Sequence, residues 1–269
     1  VIDDLVDEWP TGSSAVAFIV RDGIVDVLGE AGDLDEVRPW ASVTKLAVAL
    51  AFGVEHDWGL HGFDEAVGPR GASIANLLSH SSGLGPEEGD PVSPVGARRV
   101  YSNVAFDLAV DAVVGEGDAS SWLGRRVLTP LGMTSSRLEG RASSGVVGST
   151  RDLVTLAVSW LRPDGVAVAT RDRMIVPFLP GLVGVVPGFG RFSPCPWGLG
   201  PELAGDKHHW MGDWPPESFG HFGMTGSLVL LNARERLGVV ATATEPFGSW
   251  AVDLWPRWTS GVRRAALNR

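Results

Sequence analysis

The sequence predicts an α/β protein of the α+β kind. An antiparallel sheet is made by the N- and C-terminal segments and flanked by helices, and a mainly helical segment is inserted between them. Three observations point there. Two β-rich runs meet at Asp22-Gly23, two more meet at Ala233-Arg234-Glu235-Arg236, and the middle carries apolar residues at helical spacing. Hairpins far apart in a chain bury their apolar faces by joining in one sheet. A length of 269 residues with 44% hydrophobic content is ample for one large core. The expected organisation is a single domain over 1–269, with about 1–50 and 180–269 as a sheet subdomain and about 51–179 as a mainly helical one.

Taken in order, Val1 to Trp9 has helical apolar spacing and acids in its first turn, and Pro10-Thr11-Gly12 stops it. Ala15 to Val20 and Ile24 to Leu28 read as strands, because Asp-Gly between two β-rich runs favours a two-residue hairpin turn. From Ser42 to about Val54 nearly every residue except Lys45 is apolar, which predicts a helix buried on most sides. Helical patches follow at Ile74 to Leu78, Ala105 to Val114, Ser120 to Leu128 and Thr150 to Trp160. Gly181 to Ser218 is crowded with Gly and Pro and reads as loops with short strands, the kind of segment that rims a site. Gly226 to Asn232 and Leu237 to Thr244 form a second antiparallel pair. A last helix from about Trp250 to Leu267 is expected to break near Pro256. The terminal helices are expected on one face of the sheet and the helical middle on the other.

Composition narrows the function classes. A net charge of −10 argues against nucleic acid and against an anionic membrane surface, both of which need clustered Lys and Arg. The pairs Arg98-Arg99, Arg125-Arg126 and Arg263-Arg264 are scattered and read as solvated faces. No apolar run reaches the roughly 18 residues of a spanning helix, and the N-terminus lacks a signal-peptide layout, so a soluble chain is expected. It begins at Val1 rather than Met, which is compatible with a trimmed exported protein and leaves the compartment open. The lone Cys195 excludes an internal disulfide and, with no basic neighbour in sequence, reads as a buried small residue. His56, His61, His208 and His209 show no metal-ligand spacing and are expected at the surface or in loops. Neither a metal site nor a cofactor is predicted.

The chemistry concentrates in two short motifs. The chain has a single tyrosine, Tyr101, beside 11 Trp and 10 Phe, so its hydroxyl rather than its packing is the reason for it. It stands in Tyr101-Ser102-Asn103, and Lys45 stands in Ser42-Val43-Thr44-Lys45. Both patterns arise together by accident in roughly 0.2% of such chains. Ser42 opens the buried helix, where unpaired N–H groups and the helix dipole favour developing negative charge. Lys45 is about one helical turn on, so its amine rises on the same face, and burial lowers a lysine's pKa toward that of a useful base. A serine needs such a base to be a nucleophile; on its own it would equally well be a helix cap. Tyr101 offers a second proton carrier if nearby cations favour its phenolate. Asn103 would point the same way in an extended segment and hydrogen-bond a substrate amide. Gly-x-Ser-x-Gly is absent, which removes the α/β-hydrolase nucleophile elbow.

With these residues the chain resembles the serine β-lactamase and penicillin-binding-protein superfamily, in the branch of class C β-lactamases, D-alanyl-D-alanine carboxypeptidases and related esterases. Leu77-Leu78-Ser79-His80-Ser81-Ser82-Gly83-Leu84 is similar to that branch's Leu-Leu-x-His-x-Ser-Gly-Leu segment. Pro130-Leu131-Gly132-Met133 matches its Pro-Leu-Gly-Met turn, and Ser149-Thr150-Arg151-Asp152-Leu153 its Ser-Thr-x-x-Asp-Leu helix start. His221-Phe222-Gly223 stands where the branch has Lys-Thr-Gly. The resemblance, over about residues 13 to 250, implies a β-lactamase/transpeptidase-like fold with the site between sheet and helices. It implies an acyl-enzyme on Ser42, substrate contacts from Asn103, His221, Phe222 and Gly223, and an oxyanion hole of the Ser42 and Met224 N–H groups. His221 and Phe222 remove the fixed charge and hydroxyl that help hold a substrate carboxylate, and the loops are trimmed relative to class C enzymes. Both departures lean toward an esterase-like member. His80 is expected to hold a loop by hydrogen bonding. Trp210 and Trp214 are either acyl-pocket lining or plain packing.

The resulting expectation is a cofactor-free serine hydrolase acting on a small-molecule ester, amide or β-lactam. Ser42 is the nucleophile, and Lys45 and Tyr101 share the acid/base work with neither singled out as acylation base. Its alternatives are a β-lactamase or D-alanyl-D-alanine carboxypeptidase and, in another class, a catalytically silent penicillin-binding sensor. A sensor has no need of Ser42, Lys45 and Tyr101 together.

Overall fold

The computed structural model describes residues 5–87, 90–162 and 164–268. The chain opens with the hairpin β1 (Ser14–Arg21) and β2 (Ile24–Ala31), then β3 (Val37–Pro39) and a short 3-10 turn over Ala41–Val43 that runs into α1 (Thr44–Asp57). Next come α2 (Ile74–Leu78), α3 (Asn103–Val114), α4 (Ala119–Leu123), β4 (Arg137–Leu138), β5 (Val146–Ser149), α5 (Thr150–Leu161) and α6 (Val168–Met174). The last part holds β6 (Gly184–Val186), β7 (Gly190–Phe192), β8 (Glu202–Leu203), β9 (Phe219–Phe222), β10 (Leu228–Asn232), β11 (Leu237–Thr242) and α7 (Ser249–Leu267).

The main sheet runs β2-β1-β11-β10-β9-β8 and is antiparallel at every junction. β1 pairs with β11, Ser14 opposite Thr242 and Ile19 opposite Leu237, so the two ends of the chain close into one sheet as the paired hairpins predicted. Asp22 and Gly23 both have positive φ, as a two-residue turn with the twist of its strands requires. β1, β10 and β11 are buried almost throughout, because both sheet faces are covered. On one face α5 lies over β1, β10 and β11 and joins the larger core with α1 to α4. On the other, Leu5 and Trp9 join α7 in a second core that includes Trp210, Trp214 and Trp255.

Four expectations change. Of the predicted Val1–Trp9 helix, Val1 to Asp4 lie outside the described residues, and Leu5 to Glu8 form a turn closed by Trp9 N–H donating to Val6 O at 2.9 Å. The mainly helical middle also carries β4 and β5, which join β3 from the first part of the chain in a small antiparallel sheet, too short and too far apart in sequence for periodicity to reveal. α6 also escaped the reading. Finally, α7 continues through Pro256, where its buried side, with Leu254, Trp255, Trp258 and Val262, holds it against the sheet. Packing of an amphipathic face thus outweighs the one backbone bond that proline removes.

Candidate active site

The residue before the nucleophile candidate carries backbone strain. Ala41 has φ of +44°, a conformation unfavourable for a residue with a Cβ, and Ser42 follows it in the 3-10 turn. Several bonds hold this corner. Trp40 N–H donates to Val146 O at 2.8 Å and its indole to Gly148 O at 3.1 Å, so the small sheet anchors it from below. From the other side Thr225 Oγ1 donates to Pro39 O and Ser227 Oγ to Trp40 O, both at 2.7 Å. These tie the turn after β9 to the turn that carries Ser42. Gly223 is required here by close approach: a Cβ would lie 2.4 Å from Trp40 O.

Ser42, Lys45, Tyr101 and Asn103 come together as the two motifs predicted. Lys45 Nζ lies 3.1 Å from Ser42 Oγ, and Tyr101 donates its hydroxyl to the same Oγ at 2.7 Å. Lys45 also donates to Asn103 Oδ1 at 2.7 Å and to Ser143 O at 2.9 Å. Its side chain is fully buried, and that burial pulls its pKa down from 10.5 to about 7 against the pull of Asp107 and Glu87. Two expectations need correction. Burial pushes Tyr101 up rather than down, so it rests as a neutral phenol, not a phenolate. Asn103 opens α3 instead of extending the strand. Its carbonyl is taken by Lys45 and one of its N–H groups by Glu87 Oε1 at 2.6 Å, so it orients the amine as well as facing the cavity.

His221 and Phe222 end β9 beside Ser42 and, with Met224, line the same cavity of about 250 Å³. His221 is not the partly charged group its ordinary pKa suggests. Burial, followed by the nearby Lys45 charge, lowers it to about 3. Its Nδ1 lies 2.8 Å from Phe222 O, which can only accept, so Nδ1 carries the hydrogen. Nε2 is left as a bare acceptor with no partner among the described residues. Phe222 packs on Phe189, Trp210, Phe247 and Trp255.

Several neighbours were invisible in the sequence. Ser143 contributes a backbone carbonyl, which no residue type announces; Glu87 reaches in from a loop; and Trp197 forms a wall against His80, Tyr101 and His221. His80 does hold a loop: its Nδ1 accepts the Ser102 N–H at 3.2 Å. Trp210 and Trp214 are packing residues, their indoles donating to Glu202 and to Thr259 O. Arg99 and His209, read as surface groups, are buried. Arg99 donates to the carbonyls of Ser79, Cys195, Phe178 and Leu179, tying the loop before Tyr101 to the segments around 178 and 195. His209 and Lys207 both bond Glu202, whose carboxyl burial would push up but which these partners hold well below its usual range. Cys195 is buried, as expected. No group of metal ligands occurs among the described residues, and no helix among them is long and apolar enough to cross a membrane.

Comparison with known proteins identifies the family and the fold. The β-lactamase family model matches residues 2–258. A β-lactamase from Mycobacterium bovis is 33% identical, with a TM-score of 0.92 and 97% of each chain covered. The chain belongs to the β-lactamase family. A class C β-lactamase from Rhodobacter sphaeroides (14% identity, TM-score 0.74, 98% of this chain and 97% of that one) shares the fold. So does a simvastatin synthase mutant from Aspergillus terreus (16% identity, TM-score 0.78, 99% and 94%). At such identities the likeness concerns the fold alone. Among curated proteins none matches the chain.

Proposed function

We propose that this chain is a serine hydrolase that cleaves a small ester or amide through an acyl-enzyme on Ser42, with esterase-like rather than efficient β-lactamase selectivity. One observation carries the reading: the partners of Lys45 fit a neutral amine. Nζ meets two carbonyl acceptors, Asn103 Oδ1 and Ser143 O, and Ser42 Oγ, with no carboxylate among them; on losing one proton it keeps two N–H groups for the carbonyls and turns its lone pair to the Ser42 hydroxyl. A pKa of about 7 supplies that neutral form near neutrality.

Ser42 Oγ then attacks the substrate carbonyl while its proton passes to Lys45 Nζ. The oxyanion faces the Ser42 and Met224 N–H groups. When the tetrahedral intermediate collapses, the leaving oxygen or nitrogen takes the Tyr101 phenolic proton, which leaves a Tyr101 phenolate to accept a proton from the attacking water and a Lys45 ammonium to return one to Ser42 Oγ on deacylation. Water repeats the sequence in reverse roles to release the acid. Asn103 and His221 orient the substrate, with Phe222 and Gly223 beside them. The bare Nε2 of His221, where a fixed cation would attract a carboxylate next to the scissile carbonyl, supports selectivity for substrates that carry no charge there.

A fluorophosphonate probe is expected to label Ser42 alone, read by mass spectrometry after digestion. The kcat/KM for p-nitrophenyl butyrate is expected to exceed that for a chromogenic cephalosporin, and exchanging His221→Lys with Phe222→Thr should shift the ratio toward the cephalosporin. Absence of a Ser42 adduct on folded protein would leave the silent sensor as the better reading. A native preference for the cephalosporin would make the chain a β-lactamase.

A further inference from the structure

A second cavity, of about 550 Å³, adjoins the one at Ser42, and the two share Pro86, Tyr101 and Pro187 as a common wall. Its far side is the β6–β7 hairpin. This hairpin lies tightly against the segment leading to Tyr101: Arg99 N–H donates to Val183 O at 2.8 Å, and a Cβ on Gly184 would meet Arg99 Cβ at 2.5 Å. Val185 and Arg191 are opposite partners in the hairpin, so their side chains share one face, and both line the cavity. The walls are otherwise apolar, from Val100, Val183 and the two prolines, with Arg98 as a second exposed cation at the edge. Among the described residues no carboxylate pairs with Arg98 or Arg191, and Arg98 donates one N–H to Val92 O at 3.0 Å. The guanidinium of Arg99 is already occupied by four carbonyls.

We propose that this groove is a subsite for the part of the substrate remote from the scissile carbonyl, and that it takes an apolar chain ending in an oxyanion such as a carboxylate, held by Arg98 and Arg191. The inference rests on the hydrolase reading above and adds the substrate class to it. The apolar walls bury the chain, and the arginine pair supplies the positive end that a chain of net charge −10 otherwise lacks there. Such a remote anion differs from a carboxylate beside the reacting carbonyl, which would face His221.

Two measurements test it. At low ionic strength the kcat/KM for mono-p-nitrophenyl suberate is expected to exceed that for p-nitrophenyl octanoate by about fivefold, and the ratio should fall toward one in the Arg98→Gln/Arg191→Gln protein and with added salt. A native ratio of one or less, or a ratio the double substitution does not change, would overturn the proposal. Independently of turnover, titration calorimetry with monomethyl suberate on Ser42→Ala is expected to show binding that the two arginine substitutions weaken about fivefold. Arginine-dependent binding without turnover of any ester would remove the hydrolase reading and keep the groove. Turnover with arginine-independent binding would remove the groove and keep the hydrolase.

Discussion

At the scale of single residues, the decisive feature is a lysine with no carboxylate touching its amine. Two carbonyl acceptors and a hydroxyl surround Lys45 Nζ, so burial lowers its pKa to about 7 instead of an ion pair raising it. Activity needs the neutral amine, so kcat/KM for a neutral ester is expected to rise with pH through about 7 and then level. His221, already neutral above about 3, adds no inflection between these values, and Tyr101, pushed up, causes no loss until well into the alkaline range. A pH–rate profile checks this, and a bell falling near pH 7 would contradict it. Because Lys45 and Tyr101 both meet Ser42 Oγ, Lys45→Ala and Tyr101→Phe are each expected to lower kcat by on the order of 10² or more. The double variant should be little worse than the poorer single one, whereas independent groups would give multiplied losses.

At the scale of elements, the site depends on two turns that touch. The turn after β9 and the corner before α1 are tied by the Thr225 and Ser227 hydroxyls, with Gly223 wedged against Trp40 O. Gly223→Ala must push these turns apart, since backbone cannot yield as a side-chain tip does. It is expected to destabilise the protein by about 1–3 kcal/mol and to lower kcat at least tenfold, as misplaced oxyanion donors do. Thermal melts and ester kinetics on the same variant read the two effects; normal kcat with a lowered melting temperature would mean that the turn does not position the oxyanion donors.

At the scale of the whole molecule, a buried charge cluster holds the loops that wall the site. Glu202, on β8, bonds Lys207, His209 and Trp210, and is bridged to Trp197 on the site wall. Glu202→Gln leaves Lys207 buried without its counter-charge and is expected to cost about 3–5 kcal/mol. Adding Lys207→Met should return part of that loss, as a double-mutant cycle would measure by denaturant unfolding. The cluster also sets an acid limit. The folded pKa of Glu202 is depressed below its ordinary 4.5, so its contribution is complete above that value and is lost as pH falls below it. The Glu202→Gln protein should accordingly show a shallower decline in stability below about pH 4.5. An unchanged slope would show that other carboxylates govern acid unfolding.

The sequence by itself determined the antiparallel sheet, the buried first helix and the nearness of Lys45 to Ser42, because each rests on local periodicity, turn chemistry or fixed spacing; that Tyr101 joins them was implied only by the resemblance its motif carries. Asp22-Gly23 is legible for that reason: the residue types needed for positive φ are few. The environments of these side chains were decided only by tertiary structure. The Ser143 carbonyl beside Lys45, the burial that keeps Tyr101 a phenol and His221 neutral, and the Arg99 clamp all come from segments far apart in the chain. A charge state reports surroundings that no single residue encodes, and the same holds for the small sheet of β3, β5 and β4 and for α7 running through Pro256. There, contacts made on folding outweigh the local preferences that a sequence displays.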